Sequence, residues 1–561
     1  MLNLHTRTRF PNLLHARVLT EADENAPALI LVQTGHPDQV ITRREFRQHA
    51  RAYAYALHKM GMAARDLVII AHTQNLESVY AFWGALLLGA IPSMFPTLTE
   101  KLDPALYMAS IAELVNLSQV RAVLTTDDFA AQLAPRVTCS VYGSTALLAE
   151  VGTGEAPRYV PDPHEVAFLQ HSSGTTGLQK GVALAHERVL NQLASYSSAL
   201  ALSERDVIVS WLPLYHDMGL IAGFILPLFQ GLPLVLMSPF DWVRHPALLL
   251  RAIHNHQGTL CWLPNFAYNH MARRVRHADS EGLSLASMRA FVNCSEPVRA
   301  DSHAMFLERF APHGLRESML TVSYAMAENT FAVTQTPIGQ APHIDWVDRR
   351  ALMEDQRALP VPPDSPQALA QVSCGAPIVG SEVKVVDEQG RPLPERHVGE
   401  LMIRSDCMLM AYYRRPDLRP FDAEGWYDSG DKGYMADGQV YVIGRTKDLI
   451  INAGKNVYPQ DLEAIVNGVE GVHPGRAVVF GVPDEEEGTE LIAVVAEVDT
   501  DDPQEHKRIK QAIRQAVARA SDVSVNFVTL VGAGWLIKTS SGKISRAKNR
   551  DKWLAEQSGQ A

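Results

Sequence analysis

A loop rich in glycine, serine and threonine is the segment of the sequence best suited to phosphate chemistry. It spans residues 171–181, reads His-Ser-Ser-Gly-Thr-Thr-Gly-Leu-Gln-Lys-Gly, and follows an apolar stretch, 166–170, that predicts a short strand. Glycines allow successive backbone N–H groups to point at one ligand, the hydroxyls add donors, and Lys180 adds a mobile positive charge. The composition suits a phosphate cradle, and a flexible turn without a ligand has the same composition.

The familiar nucleotide and hydrolase motifs do not fit the sequence. A Walker A loop counted from Gly174 places Gln179 where the second glycine belongs, which argues against a P-loop kinase or ATPase. No G-x-G-x-x-G follows a predicted strand and no G-x-S-x-G elbow occurs, so a dinucleotide enzyme and an esterase are both disfavoured. His216-Asp217 follows a predicted strand in a loop, where functional groups and ordinary loop histidines are both found.

Four further motifs follow the loop along the chain. They are the segments 323–329 (Ser-Tyr-Ala-Met-Ala-Glu-Asn), 427–431 (Tyr-Asp-Ser-Gly-Asp), 444–463 and 539–544 (Thr-Ser-Ser-Gly-Lys-Ile). With the glycine-rich loop, these motifs make the chain resemble the adenylate-forming superfamily, which includes acyl-CoA synthetases, peptide-synthetase adenylation domains and luciferases. Their order and approximate spacing match over nearly the whole chain, from the phosphate loop to Lys543.

Within that superfamily the chain is most similar to the fatty acyl-AMP ligases. The likeness is carried by segments 211–220, 293–298 and 455–461. The Pro-rich, charged stretch 342–366 falls where those ligases have an insertion, and we expect it to be a surface excursion. Two positions depart from the usual pattern, because Gln179 and Ile537 stand where proline is usual. Neither departure removes a charged group from the chemistry.

The element pattern and the resemblance together predict an α/β fold with two unequal parts. Helix and strand patterns alternate through residues 1–445, which predicts a large N-terminal α/β body of several subdomains, and the resemblance implies that this body is the adenylation domain. Residues 446–561 predict a small α+β C-terminal domain, in which Ile509, Ile513 and Val517 form one apolar helix face. A polar tail follows its last predicted strand. The resemblance implies that the small domain is mobile.

The resemblance implies a site for the phosphates of ATP. Its residues would be Ser172, Ser173, Gly174, Thr175, Thr176, Gly177 and Lys180. Glu328, with the hydroxyl of Thr175 nearby, would hold a Mg²⁺ ion that bridges the phosphates.

The adenosine half of ATP would contact three other motifs. The residues that the resemblance implies are Ser295, Glu296, Pro297, Tyr324, Asp431 and Arg445. Tyr324 would stack on adenine against the 295–297 segment. Asp431 would accept hydrogen bonds from both ribose hydroxyls, which suits an ionised carboxylate because it is acceptor-only. Arg445 would contact the ribose side as well.

The resemblance also implies the catalytic residues. Lys543 would bridge the carboxylate and the α-phosphate, and the small domain would deliver it only when both substrates are in place. Lys447 falls at the hinge position. Rotation there would withdraw Lys543 and bring residues 451–457 to the acyl-AMP, forming a passage for a phosphopantetheine thiol. His216 would sit at the mouth of the acyl pocket as a gate or orienter rather than a base.

Composition limits the partners that the chain can bind. A net charge of −11 opposes sequence-independent nucleic-acid binding. Five scattered cysteines without C-x-x-C spacing fit a reducing compartment, so a cytoplasmic location is expected. Residues 78–99 and 218–240 carry no charge, but glycines and prolines interrupt both stretches and argue against transmembrane helices. We expect 218–229 and 260–268 to wall the acyl pocket.

The predicted reaction is ATP-dependent activation of a fatty or similar apolar carboxylate to acyl-AMP with release of pyrophosphate. The acyl group would then pass to the phosphopantetheine thiol of an acyl carrier protein. The alternative acceptor is coenzyme A, and the insertion at 342–366 favours the carrier protein because in similar ligases it restrains domain rotation. A pseudo-ligase that only binds nucleotide is disfavoured because Glu328 and Lys543 are both present.

Overall fold

The computed structural model describes residues 1–72, 75–98, 104–152, 154–171, 180–452, 455–484, 489–521, 523–539 and 542–559. Its strands up to residue 445 are β1 (Pro27–Val32), β2 (Gln39–Thr42), β3 (Leu67–Ala71), β4 (Ile91–Met94), β5 (Ala122–Thr125), β6 (Ser140–Gly143), β7 (Val166–His171), β8 (Gly181–Ala185), β9 (Ile208–Ser210), β10 (Leu234–Met237), β11 (Leu260–Leu263), β12 (Ala290–Asn293), β13 (Leu320–Val322), β14 (Thr334–Gln335), β15 (Ile344–Asp348), β16 (Ala368–Val372), β17 (Ala376–Pro377), β18 (Ser381–Val386), β19 (Gly399–Ser405), β20 (Ala411–Tyr412), β21 (Tyr427–Ala436) and β22 (Gln439–Arg445).

Helices connect most of these strands. The α-helices up to residue 445 are α1 (Arg17–Thr20), α2 (Arg43–Lys59), α3 (Leu76–Leu88), α4 (Pro104–Ser118), α5 (Asp127–Leu133), α6 (Ser144–Val151), α7 (His186–Ala199), α8 (Leu226–Gln230), α9 (Pro239–Arg244), α10 (Ala247–His256), α11 (Asn265–Arg274), α12 (His277–Ser280), α13 (Ala300–Phe310) and α14 (Arg349–Glu354). A π-helix, Met218–Ile225, precedes α8. The elements beyond residue 445 are β23 (Ile450–Asn452), β24 (Lys455–Val457), α15 (Pro459–Asn467), β25 (Val472–Asp484), β26 (Thr489–Val498), α16 (Pro503–Ala520), β27 (Phe527–Val531) and α17 (Arg546–Gln557).

Two seven-stranded sheets form the large body. Their strand orders are β13-β12-β11-β9-β10-β1-β2 and β20-β8-β7-β4-β3-β5-β6. Neighbours pair in parallel in both sheets, except at β2, β8 and β20, which pair antiparallel. Strand β3 reads Leu-Val-Ile-Ile-Ala and is buried throughout, as expected for a parallel strand covered on both faces. Loops at the carboxyl ends of such strands are where α/β sheets bind ligands.

Smaller sheets complete the molecule. The antiparallel sheet β18-β19-β21-β22 ends at Arg445, where the chain enters the C-terminal part. That part is built on the sheet β25-β26-β27 and has its own core, into which α16 turns Ile509, Ile513 and Val517 as predicted. The fold is therefore the predicted large α/β body with a smaller α+β C-terminal domain.

The stretch 342–366 differs from the surface excursion that its composition predicts. It contains β15 and α14, and β15 pairs antiparallel with β16 beyond it. Val347, Leu352 and Ala358 are almost fully buried in a cluster with residues of β21 and β22. The charged and proline residues on its surface hide this short apolar set in the composition.

The predicted polar tail is also structured. Residues 546–557 form α17, and Trp553 on that helix packs against the Phe480 ring at 5.7 Å between centroids. The Trp553 Nε1–H donates to Thr529 Oγ1 at 2.8 Å. One aromatic side chain thus holds a helix whose remaining sequence is almost entirely polar. No helix among the described residues is both long and apolar enough to cross a bilayer.

Candidate functional site

Lys543 lies on a loop of the small domain and reaches into the large body. The loop runs between β27 and α17, and an antiparallel β-bridge between Lys538 and Ile544 joins its two sides. The Thr539 N–H donates to the Lys543 carbonyl at 2.7 Å. Lys543 Nζ in turn donates to the backbone carbonyl of Ser295 at 2.6 Å. The terminal motif and the 293–298 motif therefore meet at one point.

Two buried polar side chains hold the lysine loop. Glu497 accepts hydrogen bonds from the N–H groups of Gly534 and Leu536, each at 3.0 Å. Asn549 accepts from the Ile537 N–H at 2.8 Å and donates back to the Ile537 carbonyl at 2.9 Å. Sequence reasoning missed both residues because neither belongs to a motif. Glu497 has one signal, which is a charged residue within a largely apolar strand, and Asn549 has none.

The segment that receives Lys543 has an unusual backbone. Ser295 has a φ of 69°, in the left-handed region that residues with a Cβ seldom occupy. Glu296 Oε2 accepts a hydrogen bond from the Phe266 N–H at 2.9 Å, which ties the segment to the start of α11. Burial raises the pKa of Glu296, and the positive charge of Lys543 opposes the rise. Pro297 is exposed beside them.

Tyr324, Asp431 and Arg445 form one connected group. The Tyr324 hydroxyl donates to Asp431 Oδ2 at 2.6 Å, and Arg445 Nε lies 3.4 Å from Asp431 Oδ1. Asp431 and Arg445 are register partners on β21 and β22, which explains why two motifs arrive at the same place. Burial raises the pKa of Asp431, with Arg445 acting against it. Tyr324 and Asp431 are buried, whereas Arg445 is exposed.

Glu328 is presented by a rigid turn, Ala327–Asn329. Thr330 ends this turn with a φ of 62°, and its Oγ1 donates to the Cys407 carbonyl at 2.7 Å. Such a conformation is rare for a β-branched residue, so the surrounding contacts must hold it. The Tyr412 hydroxyl donates to Glu328 Oε1 at 3.1 Å, and burial raises the pKa of the Glu328 carboxyl.

Tyr412 joins two predicted site residues and was missed from the sequence. Its ring lies 4.9 Å from Lys180 Nζ, while its hydroxyl binds Glu328. Strand β20, which carries Tyr412, pairs with β8 directly after Lys180. The hydroxyl of Tyr427 lies 3.2 Å from that of Tyr412. Tyr412 belongs to none of the motifs, so no sequence signal pointed to it.

Six of the predicted phosphate-binding residues lie outside the described residues. They are Ser172, Ser173, Gly174, Thr175, Thr176 and Gly177. The two ends of their loop are described. Strand β7 ends at His171, β8 begins at Gly181, and these two residues are register partners in an antiparallel pair. The glycine-rich segment is therefore the connection of a hairpin, with Lys180 at its end.

His216 and Asp217 immediately precede the π-helix. His216 Nδ1 lies 3.7 Å from Asp217 Oδ1, which also accepts the Met218 N–H at 2.8 Å. Burial acts to raise the pKa of Asp217, but His216, the Met218 N–H and the charge of Lys543 outweigh it and the pKa is lowered. The charge of Lys543 therefore acts on the Asp217 carboxylate, although the sequence analysis assigned a role only to His216. π-Helices are rare and often mark functional sites.

Lys447 lies in the short turn Thr446–Asp448, directly after β22. Burial lowers the pKa of its ammonium group, and the neighbouring Arg445 adds to the effect. Asp448 of the same turn accepts a hydrogen bond from Arg546 Nη1 at 2.6 Å. Because Arg546 is three residues beyond Lys543, the turn and the lysine loop are tied together. The segment 451–457 forms the β23–β24 hairpin, apart from residues 453–454, which lie outside the described ranges.

The segments expected to wall an acyl pocket lie in the core of the large body. Residues 218–230 form the π-helix and α8, and they are buried throughout. Residues 260–268 form β11 and the first turn of α11. A narrow cavity among the described residues is lined by residues that include Ile70, His72, Phe95, Leu214, Tyr215 and Phe240, and no residue of 218–229 or 260–268 lines it.

Comparison with known proteins gives a consistent result. The family model described as AMP-binding enzyme matches residues 18–413. A putative ligase of Mycobacterium tuberculosis is 33% identical over 92% of this chain and 95% of its own length. A long-chain-fatty-acid–AMP ligase of Mycolicibacterium smegmatis is 32% identical over 92% of this chain and 89% of its own. A medium-chain-fatty-acid–acyl-carrier-protein ligase of Moorena producens is 30% identical over 92% and 90%.

Solved structures show the same similarity. A structure from a study of fatty acyl-adenylate ligases of E. coli and L. pneumophila superposes with a TM-score of 0.89 and 26% identity, over 98% of this chain and 99% of the other. The fatty acyl-adenylate ligase of L. pneumophila in complex with acyl adenylate and pyrophosphate superposes with a TM-score of 0.76 and 26% identity, over 99% and 98%.

Proposed function

The chain belongs to the AMP-binding enzyme family, and from this premise we propose how its site forms an acyl-AMP from ATP and a fatty acid. The protein is an ATP-dependent ligase, as its relatives are. The observation that carries the proposal is the hydrogen bond from Lys543 Nζ to Ser295, which links the small domain to the Tyr324, Asp431 and Glu328 side of the body.

Tyr324, Asp431 and Arg445 are proposed to bind the nucleoside of ATP. The Asp431 carboxylate already accepts the Tyr324 hydroxyl through Oδ2, which leaves Oδ1 facing Arg445 for a ribose hydroxyl. The Tyr324 ring and the 295–297 segment would enclose adenine. A carboxylate suits two vicinal hydroxyls because each of its oxygens can accept a hydrogen bond.

Lys180 and the loop before it are proposed to hold the β- and γ-phosphates. This role covers Ser172, Ser173, Gly174, Thr175, Thr176 and Gly177, whose hydroxyls and N–H groups are the donors. Tyr412 connects Lys180 to Glu328, because its ring contacts the ammonium group and its hydroxyl donates to the carboxylate. Neutralising the phosphates lets an anionic carboxylate approach them.

Glu328, with Thr175, is proposed to hold Mg²⁺. The carboxylate fits a hard cation because burial raises its pKa, so a bound positive charge would restore its ionised form. A bound Mg²⁺ ion would supply charge neutralisation at the phosphate oxygens. Tyr412 orients the carboxylate by donating to Oε1, which leaves Oε2 for the ion.

Lys543 is proposed to act on the reacting atoms. A carboxylate oxygen attacks the α-phosphorus, the bond to the bridging β-oxygen breaks, and pyrophosphate leaves with the electron pair. A cation about 4 Å from the developing charge contributes about 1 kcal/mol in water and about 4 kcal/mol in a partly dry site. His216, whose ring lies beside Asp217, would orient the carboxylate rather than take a proton.

The proposed acceptor in the second step is the phosphopantetheine thiol of an acyl carrier protein, with coenzyme A as the alternative. The thiol attacks the acyl carbon, AMP leaves, and the thiol proton passes to solvent. One relative is a ligase for acyl carrier protein, which supports this choice. Rotation about Lys447, between a body of residues 1–445 and a mobile domain of residues 446–561, would bring the 451–457 hairpin to the acyl-AMP.

The insertion provides further support for the carrier protein. Glu354 Oε1 on α14 lies 2.9 Å from Lys455 Nζ on β24, and Met353 packs against the core of the small domain. Arg349 of the same helix donates a hydrogen bond to the Ala520 carbonyl. These contacts restrain the hairpin that would form the thiol passage. All five cysteines are free thiols, which supports a reducing, cytoplasmic location.

ATP–pyrophosphate exchange with fatty acids of increasing chain length tests the first step. We expect exchange that depends on the acid and on Mg²⁺. Acylation of pantetheine, coenzyme A and a holo acyl carrier protein then tests the second step. If none of the fatty acids tested supports exchange, the proposed adenylation is wrong. Equal rates of acylation of coenzyme A and of the carrier protein would contradict the preferred acceptor.

A further inference from the structure

Helices α9 and α11 together present an exposed surface that is both apolar and basic. Phe240, Val243 and Phe266 are 39%, 39% and 43% exposed, which is high for large apolar side chains. On α9 the residues Phe240, Val243 and Arg244 are spaced i, i+3 and i+4, so they share one face. Such a cluster on a folded chain often marks an interaction site.

Helix α11 continues the same surface. Phe266, His270, Arg273 and Arg274 follow the i, i+4, i+7 and i+8 spacing of one helix face, and both arginines are exposed. We call the face formed by Phe240, Val243, Arg244, Phe266, His270, Arg273 and Arg274 the α9–α11 surface.

The α9–α11 surface rests on a rigid base. His270 Nε2 lies 3.1 Å from the Val243 carbonyl, which joins the two helices. Beneath them the rings of Trp211 and Trp242 stack at 3.7 Å between centroids, and both contact the Phe266 ring edge to face. Little ordering entropy would be lost when a partner binds such a surface, because its base is already packed.

The charge of this surface is opposite to that of the whole chain. Among the described residues, no carboxylate lies within ion-pair distance of Arg244, Arg273 or Arg274. The nearby carboxylate of Asp241 accepts the Thr34 N–H, and that of Glu296 accepts the Phe266 N–H. A local basic surface can attract the carboxylates of an acidic partner even on a protein of net charge −11, because nearby charges dominate the potential at a contact.

The α9–α11 surface adjoins the adenylate site at two points. The Phe266 N–H binds Glu296, whose neighbour Ser295 receives Lys543. Phe240 also lines the narrow cavity together with Leu214 and Tyr215, which directly precede His216. A partner seated here can therefore reach the acyl-AMP with a flexible arm.

We propose that the α9–α11 surface docks the acidic acyl carrier protein that delivers the phosphopantetheine thiol. This inference rests on the proposed function and adds the place where the second substrate binds. Arg244, Arg273 and Arg274 contact carboxylates of the carrier, and Phe240, Val243 and Phe266 bury an apolar part of its surface. Docking on the large body leaves the carrier in place while the small domain moves.

The test compares carrier-dependent and carrier-independent reactions in the full-length protein. The variant Arg273→Glu/Arg274→Glu reverses two charges, and Arg136→Glu/Lys59→Glu makes the same change in net charge at exposed residues outside the α9–α11 surface. The acceptors are a holo acyl carrier protein of net negative charge and free pantetheine. Unphosphopantetheinylated carrier serves as a competitor that docks but cannot react.

We expect the α11 variant to raise the KM for the carrier protein about tenfold at low salt, which is the scale of electrostatic steering. Its ATP–pyrophosphate exchange and its transfer to pantetheine should stay at the wild-type level, as should both reactions in the control variant. The wild-type KM should rise with ionic strength, and that of the α11 variant should change little. Excess competitor should inhibit the wild type more strongly than the α11 variant.

Several outcomes would overturn the docking proposal without touching the adenylation. One is an α11 variant whose KM for the carrier protein is unchanged while its pyrophosphate exchange is normal. Another is a wild-type protein that transfers the acyl group to pantetheine but not to the carrier protein. A third is loss of binding to vesicles of phosphatidylglycerol in the α11 variant with an unchanged carrier KM, which would make the surface a lipid site. Loss of exchange in the wild type would instead contradict the proposed function.

Discussion

Among single side chains, Lys543 separates the two half-reactions most cleanly. Its ammonium group lies in the site only because the small domain holds it against Ser295. We predict that Lys543→Ala lowers the rate of acyl-AMP formation at least a hundredfold, because a charge worth about 3 to 4 kcal/mol at the α-phosphate is lost. Thiol attack on supplied acyl-AMP should keep its wild-type rate, since that step would use another domain arrangement.

The control for this variant is Lys548→Ala. Lys548 is an exposed lysine on α17, five residues beyond Lys543, and it has no predicted role. Single-turnover measurements of each half-reaction compare the two variants. An equal loss in both half-reactions of Lys543→Ala would show that the lysine acts in both domain arrangements or that the substitution unfolds its loop.

Asp431 gives a prediction about pH. Its ionised carboxylate is the proposed ribose acceptor, and burial raises its pKa above that of an ordinary aspartate. Acidification should therefore protonate Asp431 and weaken ATP binding at a higher pH than for an exposed carboxyl. We predict that the KM of the wild type for ATP rises as pH falls through this raised pKa. In Asp431→Asn the KM for ATP should be about tenfold higher at neutral pH and should not rise further on acidification.

Measurement of the KM for ATP across the acidic and neutral range checks this prediction. Asp437→Asn is a suitable control because Asp437 is exposed in the turn directly after β21. An acid limb that persists in Asp431→Asn would assign the titration to another group, such as Glu328, whose pKa burial also raises.

Among the elements, the π-helix depends on a close backbone approach. A Cβ added at Gly219 would lie 2.2 Å from the Pro213 carbonyl oxygen, which is backbone and cannot move aside alone. We predict that Gly219→Ala shifts the 213–217 loop with His216, costs about 1 to 3 kcal/mol in the free energy of unfolding, and lowers acyl-AMP formation. Denaturant unfolding and pyrophosphate exchange measure the two effects.

Gly532→Ala is the matched control, since a Cβ there would meet no heavy atom within 4 Å and the residue does not have a left-handed φ. It should leave both stability and exchange within a small margin of the wild type. Wild-type stability and exchange in Gly219→Ala would show that the loop can relax without disturbing His216.

The elements that the sequence predicts well are those with strong local signals, which are helix caps or apolar residues at helical spacing. Helix α3 (Leu76–Leu88) is of the first kind, because Asn75 caps its start and Gly89 ends it with a φ of 80°. The apolar residues of α16 also point where their spacing says. In contrast, α17 and the insertion depend on a few buried residues whose partners are distant in the chain, so their local sequences look like surface.

The candidate site divides in the same way. Lys543, Glu328 and Asp431 lie in motifs, and their types and order reveal them. Tyr412 and Asn549 act through geometry alone, since one bridges Lys180 to Glu328 and the other closes a loop. No local pattern marks such residues, because their partners are defined only once β20 pairs with β8 or α17 packs beside its sheet.

At the level of the whole molecule, the small domain is held in an arrangement that suits the role proposed for Lys543 in adenylation. Lys543 touches the body at Ser295, and α14 of the insertion makes a second contact with the small domain through Met353 and Glu354. The hydrogen bonds from Arg350 and Lys455 lower the pKa of Glu354, so this carboxylate stays ionised at neutral pH. The two contacts together would oppose the proposed rotation about Lys447.

The contacts between the insertion and the small domain lead to a prediction about the rate of thiol transfer. Met353→Ala/Glu354→Ala removes the apolar contact and the ion pair with Lys455, so the small domain should leave the adenylation arrangement more often. We predict faster thiol transfer to coenzyme A, by about threefold to tenfold, with little change in pyrophosphate exchange, because a single ion pair and one methionine contact make only a modest contribution to holding the domain. Asp364→Ala, an exposed carboxylate in the same insertion, is the control and should leave both rates unchanged. Single-turnover transfer from preformed acyl-AMP measures the effect. If transfer to coenzyme A stays at the wild-type rate while the variant remains folded, the contacts of α14 do not limit rotation, and the choice of acceptor must be made where the thiol enters.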